Sequence, residues 1–305
     1  MSLKPVKIMY MSPLAATGDH DEIFADMART HKLPGTEVHI TSLPASEGGF
    51  THIEFRSYEA MVTRGIIRAV RAAAREGFDA LAIGCFYDTG LHDAREISGD
   101  MIVTAPCVAS CEIAASLANR FGIIVGRRKW VNQMHNTVRE HGHEHRLSGF
   151  YHVDLGVNDF HKDHAETERR LIEAGRKAVE EDYAEALILG CTMEVGFYRE
   201  VEKRLGVPVI DPSIAALKRA EYGAVLKKQC GWVPSRRWSS ESPSEDEMVR
   251  FGGFDDGEAF GSRIIIPAET SGGPARKIAG VTGGPPSRDG KEGSSNGCVA
   301  NFRAG

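Results

Sequence analysis

Short apolar runs alternate along the chain with longer stretches in which apolar residues return every three or four positions. The runs cover 6–11, 36–43, 79–84 and 101–105, and then 122–126, 150–156, 186–190 and 207–211. Runs of this length read as buried strands, and the stretches between them as helices that lay one face on a sheet. The clearest helix is 57–76. There Met61, Val62, Ile66, Val70 and Ala73 form one stripe, and Arg64, Arg68, Arg71 and Arg75 fall mostly off it. Further helices are expected over 130–141, 163–182, 194–205 and 213–229. Asp163 followed by Glu166 has the form of a capping box. Strands alternating with helices of this length indicate βαβ units and parallel sheet.

The pattern restarts at mid-chain. Asp79-Ala-Leu-Ala-Ile-Gly-Cys85 lines up with Glu185-Ala-Leu-Ile-Leu-Gly-Cys191. The same offset superposes Gly90 on Gly196, Pro106 on Pro212 and Ala109 on Ala215. The expected architecture is therefore α/β with two pseudosymmetric domains. Each would hold a parallel four-stranded sheet flanked by helices, with the active site in the cleft between them. The halves fall at 1–114 and 115–230, the first completed by part of 208–230. Eight βα units could also close into one barrel, and the period alone does not separate the two.

Composition changes the picture at one end. Residues 231–305 are rich in Gly, Ser and Pro, and only 262–267 has the look of a strand. This segment reads as a largely irregular or disordered tail whose removal should leave the body folded. Elsewhere, 42% apolar and 26% charged residues over 305 positions describe an ordinary globular chain of about two domains. The net charge of -5, with both signs well mixed, gives no electrostatic reason to expect nucleic acid or an anionic membrane. No apolar run approaches a bilayer span, and the start has no signal-peptide pattern, so a cytoplasmic protein is expected.

Six cysteines are too few for a disulfide scaffold and form no C-x-x-C pair. Cys85 and Cys191 stand out by position. Each follows a strand and its terminal glycine, where ligands bind in open parallel sheets. A helix start after each would lower the thiol pKa towards neutrality. Pseudo-twofold symmetry would face the two across one cleft. One thiolate could then take a proton from one side of a carbon while the opposite thiol supplies one to the other.

These motifs carry a resemblance. Ile83-Gly84-Cys85-Phe86-Tyr87-Asp88, Leu189-Gly190-Cys191-Thr192, Gly206-Val-Pro-Val-Ile-Asp211 and the restart Phe121-Gly-Ile-Ile-Val-Gly126 resemble the aspartate/glutamate racemase superfamily, above all its hydantoin/allantoin racemase branch. The likeness spans roughly residues 5 to 230. It implies two pseudosymmetric α/β domains, catalysis by paired cysteines and no cofactor. The chain departs from the family pattern in its first loop, Tyr10-Met11-Ser12-Pro13, at Thr89 and at Met193-Glu194. Met193 stands where amino-acid racemases place a His, which disfavours free glutamate or aspartate.

A racemase or epimerase acting beside a carbonyl, on a hydantoin-like small molecule, is therefore expected, with Cys85 and Cys191 as the two bases. Ser12, Pro13, Phe86, Tyr87, Asp88, Thr192 and Met193 would bind substrate, with Thr192 and the N–H groups after each Cys supporting the enolate. Partners would be the small molecule and further copies of the chain in a homo-oligomer. A maleate-type cis-trans isomerase, an arylmalonate-type decarboxylase and a non-catalytic binding module with this fold are the alternatives. His141, His143 and His145 read as a solvated loop and not a metal site, and His161 and His164 as surface residues. Cys107 and Cys111, four apart, share a helix face and read as core. Cys230 and Cys298 carry no signal, and Arg127, Arg128 and Lys129 read as a basic turn that could hold an anionic group.

Overall fold

A computed structural model describes residues 5–16 and 18–268. The alternation of strand and helix is realised twice over. The first half runs β1 (Val6–Ala15), α1 (Gly18–His31), β2 (Thr36–Leu43), α2 (Ala45–Gly48), α3 (Arg56–Arg75), β3 (Ala80–Ile83), α4 (Leu91–Ile97), β4 (Ile102–Thr104) and α5 (Pro106–Leu117). The second runs β5 (Phe121–Val125), α6 (Val131–Glu140), β6 (Leu147–His152), α7 (His164–Glu180), β7 (Ala186–Leu189), α8 (Tyr198–Leu205), β8 (Val209–Ile210) and α9 (Pro212–Cys230). The chain continues into α10 (Glu245–Phe251) and β9 (Ser262–Ile266).

The eight parallel strands form two separate sheets, which excludes the barrel. Their orders are β4-β3-β1-β2 and β8-β7-β5-β6, the same topology written twice. β1 and β5 sit at equivalent places, each between two parallel neighbours. Helices cover both faces, so β1, β3, β5 and β7 are almost wholly buried and read as unbroken apolar runs. The last helix of each half also reaches the other. α5 packs against β7 and β8, α9 against β1, β3 and β4, and the two helices against each other. The side chain of Asp163 caps α7 by accepting the N–H of Glu166, as the sequence suggested.

Two expectations are corrected. The first sheet has five strands, because β9 pairs antiparallel with the outer edge of β2 from Val38↔Ile266 to Ser42↔Ser262. Residues 231–268 are largely irregular in backbone, with the one expected strand realised as β9, but they pack on the body. Arg71, which the helical stripe left outside, is 5% exposed. Its guanidinium bonds Asp255 at 2.9 Å and Glu245 at 2.5 Å, and Arg263 in β9 pairs with Glu76. Periodicity marked only β9, because ion pairs and a few separate apolar residues such as Met248 hold the rest of the segment. Conversely Met61, read as part of the buried stripe, is 66% exposed. Residues 269–305, including Cys298, lie outside the described residues. Among the described residues no helix is long and apolar enough to cross a membrane.

Candidate active site

The two cysteines occupy equivalent turns. Gly84 N–H donates to Met11 O across the sheet at 2.7 Å, and Gly190 N–H donates to Ile124 O at 2.7 Å. A Cβ at Gly84 would come within 3.0 Å of Met11 O, and one at Gly190 within 2.6 Å of Ile124 O. Only glycine lets the chain press this closely on the central strand before it turns, which is why Gly precedes each Cys. Behind each turn the N–H of the second residue on, Tyr87 or Met193, faces the sulfur and favours its thiolate form. Thr192 ties the halves together by donating from Oγ1 to Gly84 O at 3.3 Å.

Both thiols line one cavity. Cys85 is 9% exposed and Cys191 8%, so each is largely buried with a small face open to it. Ser12, Pro13, Phe86, Tyr87, Thr192 and Met193 line it as well. Ser12 and Pro13 reach it because the β1–β2 register breaks between Ser12 and Ala15, and such irregularities re-aim side chains beside a site. The rest of the wall is mostly apolar: Leu14, Phe24, Ile53, Trp130, Met134 and Val157, with His20, His52 and Glu54 as further polar groups.

The sequence profile of the Asp/Glu/Hydantoin racemase family matches residues 8–220. The chain belongs to this family. It is 33% identical over 245 residues to a hydantoin racemase of Paenarthrobacter aurescens, spanning 80% of this chain and all of that protein. It is 32% identical over 204 residues to a hydantoin racemase of Pseudomonas sp. (strain NS671), spanning 67% of this chain and 82% of that one. The allantoin racemase structure from Klebsiella pneumoniae superposes with a TM-score of 0.71 at 25% identity, covering 79% of this chain and 94% of that one. The protein is thus an isomerase of the racemase type.

The electrostatics of this cavity differ from expectation. Burial pushes the Cys85 thiol up to about 12, against the hydroxyl of Thr89, which donates to its sulfur at 3.5 Å. Burial, then the nearby Glu194 carboxyl, also raise Cys191 well above the usual thiol value. The expected fall towards neutrality assumed a helix start at each Cys. Cys85 is instead followed by a turn, with α4 beginning only at Leu91, and Cys191 by a single 3-10 turn, Thr192–Glu194. Without a long helix dipole, desolvation dominates.

Asp88 does not reach the cavity. Its carboxylate accepts the N–H groups of Cys107 and Val108 at 2.8 and 2.9 Å, capping α5, and bonds His141 Nε2 at 2.8 Å. His141 is correspondingly buried, its side chain 6% exposed, and is no solvated loop residue. The pair could not be read from sequence, because 53 residues separate its members. His161 is half-buried and donates from Nε2 to Met193 O at 2.8 Å. His164 stacks on Phe197. Cys107 and Cys111 are core residues, and Cys230 is exposed.

Glu54 was missed altogether. It lies in the long loop before α3 and is 5% exposed. Its carboxylate accepts Val157 N–H at 3.0 Å and Arg127 Nη1 at 2.6 Å, both in the second half. Burial opposes ionisation, yet these two donors outweigh it and hold the pKa below the usual carboxylate value. Arg127 therefore ties the two halves together by pairing with Glu54. A lone Glu in a polar loop carried no periodic signal that could have singled it out.

Proposed function

We propose that the protein racemises 5-substituted hydantoins by two-base proton transfer, with Cys85 and Cys191 on opposite faces of C5. The observation that carries this reading is that two thiols on equivalent turns of a repeated fold line the same cavity. In one direction the thiolate of one cysteine takes the C5 proton as the C–H bond breaks, and its electron pair passes into the enolate. The thiol opposite then gives its proton to the other face. The enzyme is left with thiol and thiolate exchanged, and the reverse reaction uses them in reverse.

A thiolate that burial disfavours is a strong base once formed, which suits removal of a weakly acidic carbon-bound proton. The N–H groups of Tyr87 and Met193 on the two sulfurs offset part of the cost of forming it. The Phe86 and Thr192 N–H groups are the proposed donors to the enolate oxygen. The apolar wall suits a benzyl or branched alkyl substituent at C5 better than the polar ureido group of allantoin. Paired, equivalent thiols also favour racemisation over a malonate-type decarboxylation, which needs one proton donor.

The test is NMR in heavy water on pure enantiomers of 5-benzylhydantoin and of allantoin. The wild type should racemise the first faster than the second. Cys85→Ala and Cys191→Ala should each lose racemisation yet still exchange the C5 proton of one enantiomer, with opposite preference. Full racemisation by either single variant would overturn the two-base reading.

A further inference from the structure

Each cysteine motif carries an acidic residue at the same offset: Asp88 three after Cys85, and Glu194 three after Cys191. The repeat superposes them, but the fold uses them differently. Asp88 turns away from its thiol to cap α5 through Cys107 and Val108 N–H. The equivalent N–H groups on α9, those of Ser213 and Ile214, are already capped by Asp211 at 3.0 and 3.3 Å. The first half has Ala105 at the position of Asp211 and therefore no such cap of its own.

With that helix end occupied, Glu194 turns back on its own motif. Its Oε2 accepts the N–H of Cys191 at 3.1 Å, and its own N–H donates to the Cys191 sulfur. The residue is fully buried, and Oε1 has no hydrogen-bond partner. We propose that Glu194 is a positioning residue for Cys191 alone: its carboxyl fixes the backbone turn that aims this thiol at the substrate. The proposal rests on the two-thiol reading above.

The chemistry of the carboxyl fits the role. Burial, then the neighbouring Asp211, keep Glu194 protonated far above the usual carboxylate range. In its neutral form the acid sits against the sulfur without repelling a thiolate, and only its ionised form raises the Cys191 thiol. Cys85 is supported by other means, since the hydroxyl of Thr89 donates to it and Val195 occupies the corresponding place after Cys191. The two thiols are equivalent in the fold and unequal in their support.

The experiment places Glu194→Leu in each single-cysteine background and follows C5 exchange of 5-benzylhydantoin in heavy water. With Cys85→Ala, where only Cys191 works, the added change should slow exchange about tenfold or more, through kcat more than KM. With Cys191→Ala, where only Cys85 works, it should change exchange less than about twofold. Glu194→Gln, which keeps an uncharged acceptor for the Cys191 N–H, should recover most of the lost rate. Circular dichroism checks folding, and Glu194→Ala replaces the Leu variant if that one does not fold. Equal slowing in both backgrounds, or none in the first, would overturn the role of Glu194. If the two parent variants do not exchange opposite enantiomers, it is the two-thiol reading that fails.

Discussion

Asp88 holds the Cys85 loop to two helices, and replacing it should show how much that hold contributes. Its backbone lies in the left-handed region, at φ 54°, where Asp is tolerated better than most residues. Its carboxylate makes two bonds to the start of α5 and one to His141. Asp88→Ala removes a helix cap, worth about 1 kcal/mol. It also leaves two buried N–H groups and the His141 ring unpaired, each at a cost of about 1–3 kcal/mol. We expect a loss of about 4 kcal/mol in all. Asp88→Asn keeps one acceptor but turns an NH2 group towards a backbone donor, so about half that loss is expected. Urea unfolding followed by circular dichroism and by tryptophan fluorescence measures both, with coincident transitions as the check on two-state behaviour. A double-mutant cycle with His141→Ala should return a coupling of about 2 kcal/mol. A cost below about 1 kcal/mol for Asp88→Ala, with no coupling to His141, would refute the view that this carboxylate anchors the loop.

Two further outcomes follow from the packing. Ending the chain at Gly231 removes β9 and both carboxylates that Arg71 bonds, so the shortened protein should melt lower and expose the edge of β2; an unchanged melting temperature in calorimetry would contradict this. Burial raises Asp211 from 3.8 to about 6, above its unfolded value, so its contribution favours the fold below about pH 4 and is lost as pH rises through about 6. The change amounts to about 3 kcal/mol. Asp211→Asn should lack that part of the pH dependence when urea stability is compared at pH 4 and pH 8, and an identical dependence in the two proteins would disprove the assignment.

Strand and helix order, the internal repeat and the pairing of Cys85 with Cys191 were legible in the sequence. Buried parallel strands write themselves as apolar runs, and a glycine forced by close approach to the central strand marks each turn. Six of the seven proposed substrate contacts reach the cavity for the same reason, since they flank those turns or the irregular end of β1. What sequence could not decide depends on groups distant in the chain. Asp88 is withdrawn from the cavity by the N-terminus of α5 and by His141, and Glu54 is brought into its wall by Arg127 and Val157. Residues 231–268 are held by Arg71, whose place on a helix looked solvated until two carboxylates covered it. The acidity of the thiols also belongs to the tertiary structure. Local sequence suggested helix starts that would increase it, whereas burial removes water from both sulfurs and decreases it. Periodicity records which face of an element is buried, but charge pairing and desolvation are set only when distant elements meet.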